Sequence, residues 1–120
     1  MIRLTNRARA AAGCPALRFD SRLRTAARRH STDMGVHNYF SHDSRNGDTF
    51  ADRIIAAGYP RPGAENIARG YRTADAVMDG WMNSPGHRAN ILNCGLRTIG
   101  VGMYDGSGGP WWTQNFGWPL

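Results

Sequence analysis

Lysine is absent from these 120 residues, glutamate occurs once, and cysteine occurs only at Cys14 and Cys94. Also missing is any apolar run near the roughly 18 residues that a bilayer-crossing helix requires, so the chain is read as not membrane-spanning. Met1-Ile2-Arg3-Leu4 leads into Thr5-Asn6-Arg7 instead of the apolar core of a signal peptide. If the domain is exported, its signal is expected to have been trimmed from this sequence. There is no low-complexity tract and no internal repeat, which excludes a solenoid and argues against disorder. The length gives one domain over 1–120 with its own core and is too short for two.

All fifteen basic residues are arginine. Residues 1–29 hold eight Arg against Asp20 alone, a net +7, while residues 30–120 hold seven against eight acids, a net −1. The positive surface therefore belongs to the N-terminal helices. Guanidinium groups bind phosphate through paired, charge-assisted hydrogen bonds, so this patch could meet nucleic acid, an anionic cell-wall polymer or lipid headgroups, the alternative being a solvated helix face. Nucleic acid is not favoured, because no recognised binding motif accompanies the charge.

Cys14 and Cys94 stand in neither a C-x-x-C nor a metal-ligand spacing. Two readings stay open at this point. A bond between them would close a loop of about 80 residues, stabilise the fold by roughly 4 to 5 kcal/mol, and persist only in an oxidising compartment. The alternative is two buried free thiols.

The spacing predicts a helix over 2–12 ending at Gly13, and a second one capped by Asp20 or Ser21. In the second, Leu23, Ala26, Ala27, His30 and Met34 form the buried stripe. His30 on that stripe is either a ligand or a core histidine bonded to a backbone carbonyl, and the core reading is favoured. Residues 37–48 form a polar loop. A third helix, 50–57, is capped by Asp48 or Thr49 and stopped by Gly58. Residues 64–69 read as a short strand, 74–83 as a helix capped by Thr73, and Ser84-Pro85 starts another helix reaching Leu92. From Thr98 the period becomes two, and the glycine-rich turn 105–109 joins two strands as a hairpin ending at Phe116.

Glu65 stands among apolar neighbours and must be paired, protonated or bound to a cation. It is the best single candidate for a functional acid, the alternative being a carboxylate that ties down backbone N–H groups. His42, in the polar loop, could bind a metal or move a proton. Asp43, Asp79 and His87 are the further groups that could converge with them on a divalent ion. Serine chemistry is the rival, with Ser41 and Ser84 each near a histidine, yet no strong catalytic signature is present and Ser84 reads as a helix cap.

His30-Ser31-Thr32-Asp33-Met34, Tyr39-Phe40-Ser41-His42, Glu65-Asn66-Ile67-Ala68, Trp81 through Leu92 and Trp112-Thr113-Gln114-Asn115-Phe116-Gly117 together resemble the CAP superfamily, in the expected order and over essentially the whole chain. The resemblance is closest to its compact bacterial, SCP-like branch. It implies an α+β fold, a three-layer α-β-α sandwich with a small antiparallel sheet flanked by helices. It also implies a secreted location, which agrees with a Cys14–Cys94 disulfide.

In animal and plant members of the family a cleft with two His and two acids is able to bind a divalent ion. His42 matches the first His, Glu65 the acid of the Glu-Asn motif, and Asp79 the second acid. Trp111 stands where those relatives carry the second His, and His87 is expected to supply the missing imidazole from another element. The implied cofactor is zinc, otherwise magnesium or calcium, with His42 and His87 as ligands. The cleft is expected to comprise His42, Glu65, Asp79, His87 and Trp111. The expected function is a binding module for a lipid, a glycan or an extracellular protein. The alternatives are an extracellular hydrolase or protease with His42 and Glu65 catalytic, and a purely structural cell-surface domain.

Overall fold

A computed structural model describes all 120 residues. The chain runs α1 (Ile2–Ala11), β1 (Arg18–Phe19), α2 (Ser21–Val36), α3 (Phe50–Ala56), β2 (Pro62–Arg69), α4 (Ala74–Met82), α5 (Pro85–Ile91), β3 (Thr98–Tyr104) and β4 (Trp111–Gly117). Local signals start and stop these elements where the sequence places them. Asp20 accepts the N–H of Arg22, Thr73 accepts that of Ala76, and Thr49 with Asp52 closes a reciprocal capping box at α3. Gly13, past the end of α1, takes the left-handed conformation at φ +82°.

The sheet order is β1-β3-β4-β2. β3, β4 and β2 pair antiparallel, but β1 joins β3 in parallel, so the sheet is mixed and not purely antiparallel as expected. Two exposed residues carry no periodic pattern that would announce β1. It exists because Arg18 and Asp20 donate their N–H groups to the carbonyls of Arg97 and Ile99.

Alternation along β4 divides the core. Trp112 and Phe116 point to one face, where they pack with Val77, Met78 and Trp81 of α4, Ile91 of α5, and Leu96. Trp111 and Thr113 point to the other face, against Met34 and Ser31 of α2. The result is three layers, with α2 and α3 on one side of the sheet and α1, α4 and α5 on the other. α2 lies unusually close because β3 presents Gly100 and Gly102 to it. A Cβ on Gly100 would strike the backbone of Leu23 and Arg24, and one on Gly102 that of Ala27 and Arg28.

The N-terminal helix is fixed by two devices at one corner. Cys14 and Cys94 form a disulfide across 80 residues of sequence. Beside it, the fully buried Arg9 donates to the carbonyls of Pro15, Ile91, Asn93 and Leu96 at 2.8 to 3.0 Å, with no carboxylate in reach.

β2 is the edge strand, and this places the site. Its residues alternate, so Glu65 and Ile67 face α2 and α3 while Ala64, Asn66 and Ala68 face α1, α4 and α5.

Candidate functional site

Glu65 sits in the middle of β2 with its side chain fully shielded from solvent. Three donors reach it. His42 Nδ1 lies 2.9 Å from Oε1, while Arg53 Nη2 at 2.7 Å and Asn115 Nδ2 at 2.9 Å meet Oε2. Burial alone would push the carboxyl pKa up. The hydrogen bond from His42, the charge and hydrogen bond of Arg53, and the Asn115 amide outweigh it, and the pKa is held below the ordinary carboxylate range. Glu65 is therefore ionised at neutral pH.

An ionised carboxylate only accepts hydrogen bonds, so the proton of a neutral His42 ring sits on Nδ1. Nε2 then carries a free lone pair, on a side chain that is 51% exposed. Arg53, from α3, also holds the loop that carries His42. Its Nη1 donates to the carbonyls of His42 and Asp48 and to Ser44 Oγ. The sequence alone does not single out Arg53 or Asn115. A charged residue on a short helix reads as solvated, and only the register opposite Glu65 shows that Asn115 shares its face.

The other side of β2 carries a second polar chain. Gln114 Nε2 donates to Thr5 Oγ1, Asn66 Nδ2 donates to Gln114 Oε1 and to the His87 carbonyl, and Asn90 Nδ2 donates to Asn66 Oδ1 and the Glu65 carbonyl. These bonds dock α5 against the edge strand. They bring His87 to the same edge as His42, from the opposite face of the sheet. Burial, and next the nearby His42, lower the His87 pKa, so its ring is neutral at pH 7. Ser84 stands at the N-cap of α5 as expected, but its hydroxyl makes no capping bond; it pairs with His87 Nδ1 at 2.9 Å.

Other expected residues lie elsewhere. Asp79 is exposed on α4, because Val77, Met78 and Trp81 take that helix's buried face. It enters no ion pair and borders neither cavity at the site. Trp111 does not line the cleft but fills the core beneath α2, where its Nε1 donates to the Tyr39 carbonyl and the Arg69 guanidinium lies 4.8 Å from its ring centre. Ser41 Oγ accepts the N–H of Asp43. His30 is a core histidine, with Nε2 2.7 Å from the Ser41 carbonyl.

The donor set does not fit a resident metal ion. Both Glu65 oxygens are engaged, and no three His, Cys, Asp or Glu side chains gather as a metal-binding group. What the arrangement offers instead is two cavities along this edge of the sheet, each bordered by one of the two imidazoles. One of about 410 Å³ is bordered by His42, Phe50, Glu65 and Asn90. The other, of about 490 Å³, is bordered by Phe40, Ile67, Tyr71, Trp81, Ser84 and His87.

Comparison with known proteins agrees with this architecture. An uncharacterized protein of Bacillus subtilis, YkwD, is 40% identical over 97% of the chain, and an uncharacterized membrane protein of the same organism, YlbC, is 36% identical over 97%. The chain spans 45% and 33% of their respective lengths. The crystal structure of an extracellular protein containing a SCP domain from Bacillus anthracis superposes with a TM-score of 0.88 at 41% identity, covering 97% of this chain and 38% of that one. An outer surface protein of Borrelia burgdorferi shares the fold at 20% identity, with a TM-score of 0.89 over 99% of this chain and 90% of its own. The profile described as "CAP: Cysteine-rich secretory protein family" matches residues 2–116, and the chain belongs to that family.

Proposed function

We propose that this domain acts outside the cytoplasm as a ligand-binding module, with its cleft along the edge strand β2. One observation carries the reading: Glu65, buried and ionised, fixes His42 through Nδ1 and leaves Nε2 without a hydrogen-bond partner on a half-exposed side chain. A group oriented this way binds without first being ordered, which lowers the entropic cost of association. The disulfide supports an oxidising location, and the relative from Bacillus anthracis is described as extracellular. Phe40 and Tyr71, both large and partly exposed, border the cavity next to His87. Aromatic walls beside the His87 imidazole, with His42 bordering the neighbouring cavity, favour an amphipathic ligand, a lipid ahead of a plain glycan or a protein.

The test is a titration of histidine-labelled protein with monomeric dodecylphosphocholine and, separately, a soluble chito-oligosaccharide. Saturable shifts of the His42 and His87 ring signals with the lipid are expected, and loss of the His87 shift in His42→Ala. Lack of any saturable shift with either probe overturns the reading.

The His42–Glu65 pair also supports a second reading, hydrolysis by a water that His42 Nε2 deprotonates. Turnover of an ester or peptide substrate that disappears in His42→Ala but survives in Arg88→Ala would establish it.

A further inference from the structure

Behind the dyad, between α2 and the loop 41–48, lies a separate cavity of about 390 Å³ with no apolar side chain in its wall. Arg29, Arg45 and Arg53 border it, against the carboxylates of Asp33 and Asp48. The acids are already engaged. Asp33 accepts the Tyr39 hydroxyl and lies beside His37, and Asp48 accepts the Asn46 amide. Arg29 and Arg45 enter no ion pair, so unspent positive charge faces the cavity.

Two of the residues bordering the cavity each hold a buried atom without a partner, His30 at Nδ1 and Arg53 at Nε. They differ in kind. Because the Ser41 carbonyl can only accept, His30 Nε2 is the protonated nitrogen, and Nδ1 is left as an unfilled acceptor. Arg53 Nε is an unfilled donor. Buried polar atoms without partners are uncommon, and each needs a reason.

We infer that this cavity is a second binding site, for a small oxyanion that still carries a proton, namely hydrogenphosphate or the monoanion of a phosphomonoester. The P–OH group donates to His30 Nδ1. A non-bridging oxygen accepts from Arg53 Nε, and the remaining charge lies between Arg29 and Arg45, which recognise phosphate by paired, charge-assisted bonds. A fully deprotonated anion such as sulfate has nothing to offer an acceptor and meets two carboxylates besides. The acceptors in the wall thus act as a filter against it. Arg53 belongs to both sites, since its Nη2 holds Glu65.

Calorimetry of the intact disulfide-bonded domain, with inorganic phosphate at low salt and pH 6.5, tests this. Saturable binding at least tenfold tighter than for sulfate at equal ionic strength is expected, weakened tenfold or more in Arg29→Ala/Arg45→Ala, both exposed positions that leave the core intact. Glycerol 3-phosphate distinguishes the source: tighter binding than free phosphate assigns a phosphomonoester, and weaker binding assigns the free ion. Equal affinity for sulfate and phosphate, or phosphate binding unchanged by the double substitution, would overturn the site.

Discussion

His42 touches Glu65 through Nδ1 at 2.9 Å while the carboxylate itself is sealed from water. The exposed member of the pair is thus controlled by a buried one. Glu65 answers to three donors at once, so its removal should be felt beyond His42.

Glu65→Gln is expected to destabilise the fold by about 3 kcal/mol, because it leaves Arg53 as a nearly buried guanidinium without its counter-charge. His42→Ala, whose side chain is half exposed, should cost well under about 1 kcal/mol. Urea unfolding of both variants checks this. Equal losses would mean that the carboxylate serves His42 alone.

Acid should weaken the fold in two stages. His30 and His87 have pKa values lowered mainly by burial, so the unfolded chain binds their protons first. Stability is then complete above the ordinary histidine value near 6.5 and falls as pH drops below it. Glu65 is also lowered in the folded state, which makes its contribution complete above the ordinary carboxylate value of 4.5 and lost as pH falls through the folded pKa. Thermal unfolding from pH 8 to 3 should show both declines, with the upper one reduced in His87→Gln. A flat profile between pH 7 and 5 would refute the histidine part.

Much of this was legible in the sequence, and the misses share a cause. Helix positions followed from caps and spacing, and the hairpin followed from the alternation after Thr98, because these signals are local. Glu65 was legible because a lone carboxylate among apolar residues demands partners. Which partners was not legible. Arg53 reaches it from α3 and Asn115 from β4, through pairings that only the assembled sheet defines. Asp79 and Trp111 failed for the converse reason, since a position matching a family pattern does not say which face of this helix or strand is buried. β1 was too short to announce itself.

Zinc should leave the protein's melting temperature nearly unchanged, and EDTA likewise. A resident ion at 100 times its dissociation constant would add about 2.7 kcal/mol, but the Glu65 oxygens are occupied and no third ligand joins His42 and His87. Differential scanning calorimetry with EDTA, zinc, magnesium and calcium decides it. A zinc-dependent rise that vanishes in His42→Ala would show that the two imidazoles suffice.

Arg9 and the disulfide guard one corner, and they should be separable. Reduction of Cys14–Cys94 releases a loop constraint worth about 4.5 kcal/mol in the chain-entropy model and acts on the unfolded chain. Arg9→Met acts on the folded one. It strips donors from the carbonyls of Pro15, Ile91, Asn93 and Leu96, and at roughly 1 kcal/mol or more per buried acceptor left unpaired the loss should reach about 3 kcal/mol. Because the two effects fall on different states, they should add within about 0.5 kcal/mol in a cycle of Arg9→Met with Cys14→Ser/Cys94→Ser. A large coupling would mean that Arg9 holds its carbonyls only while the disulfide keeps Asn93 and Leu96 in place.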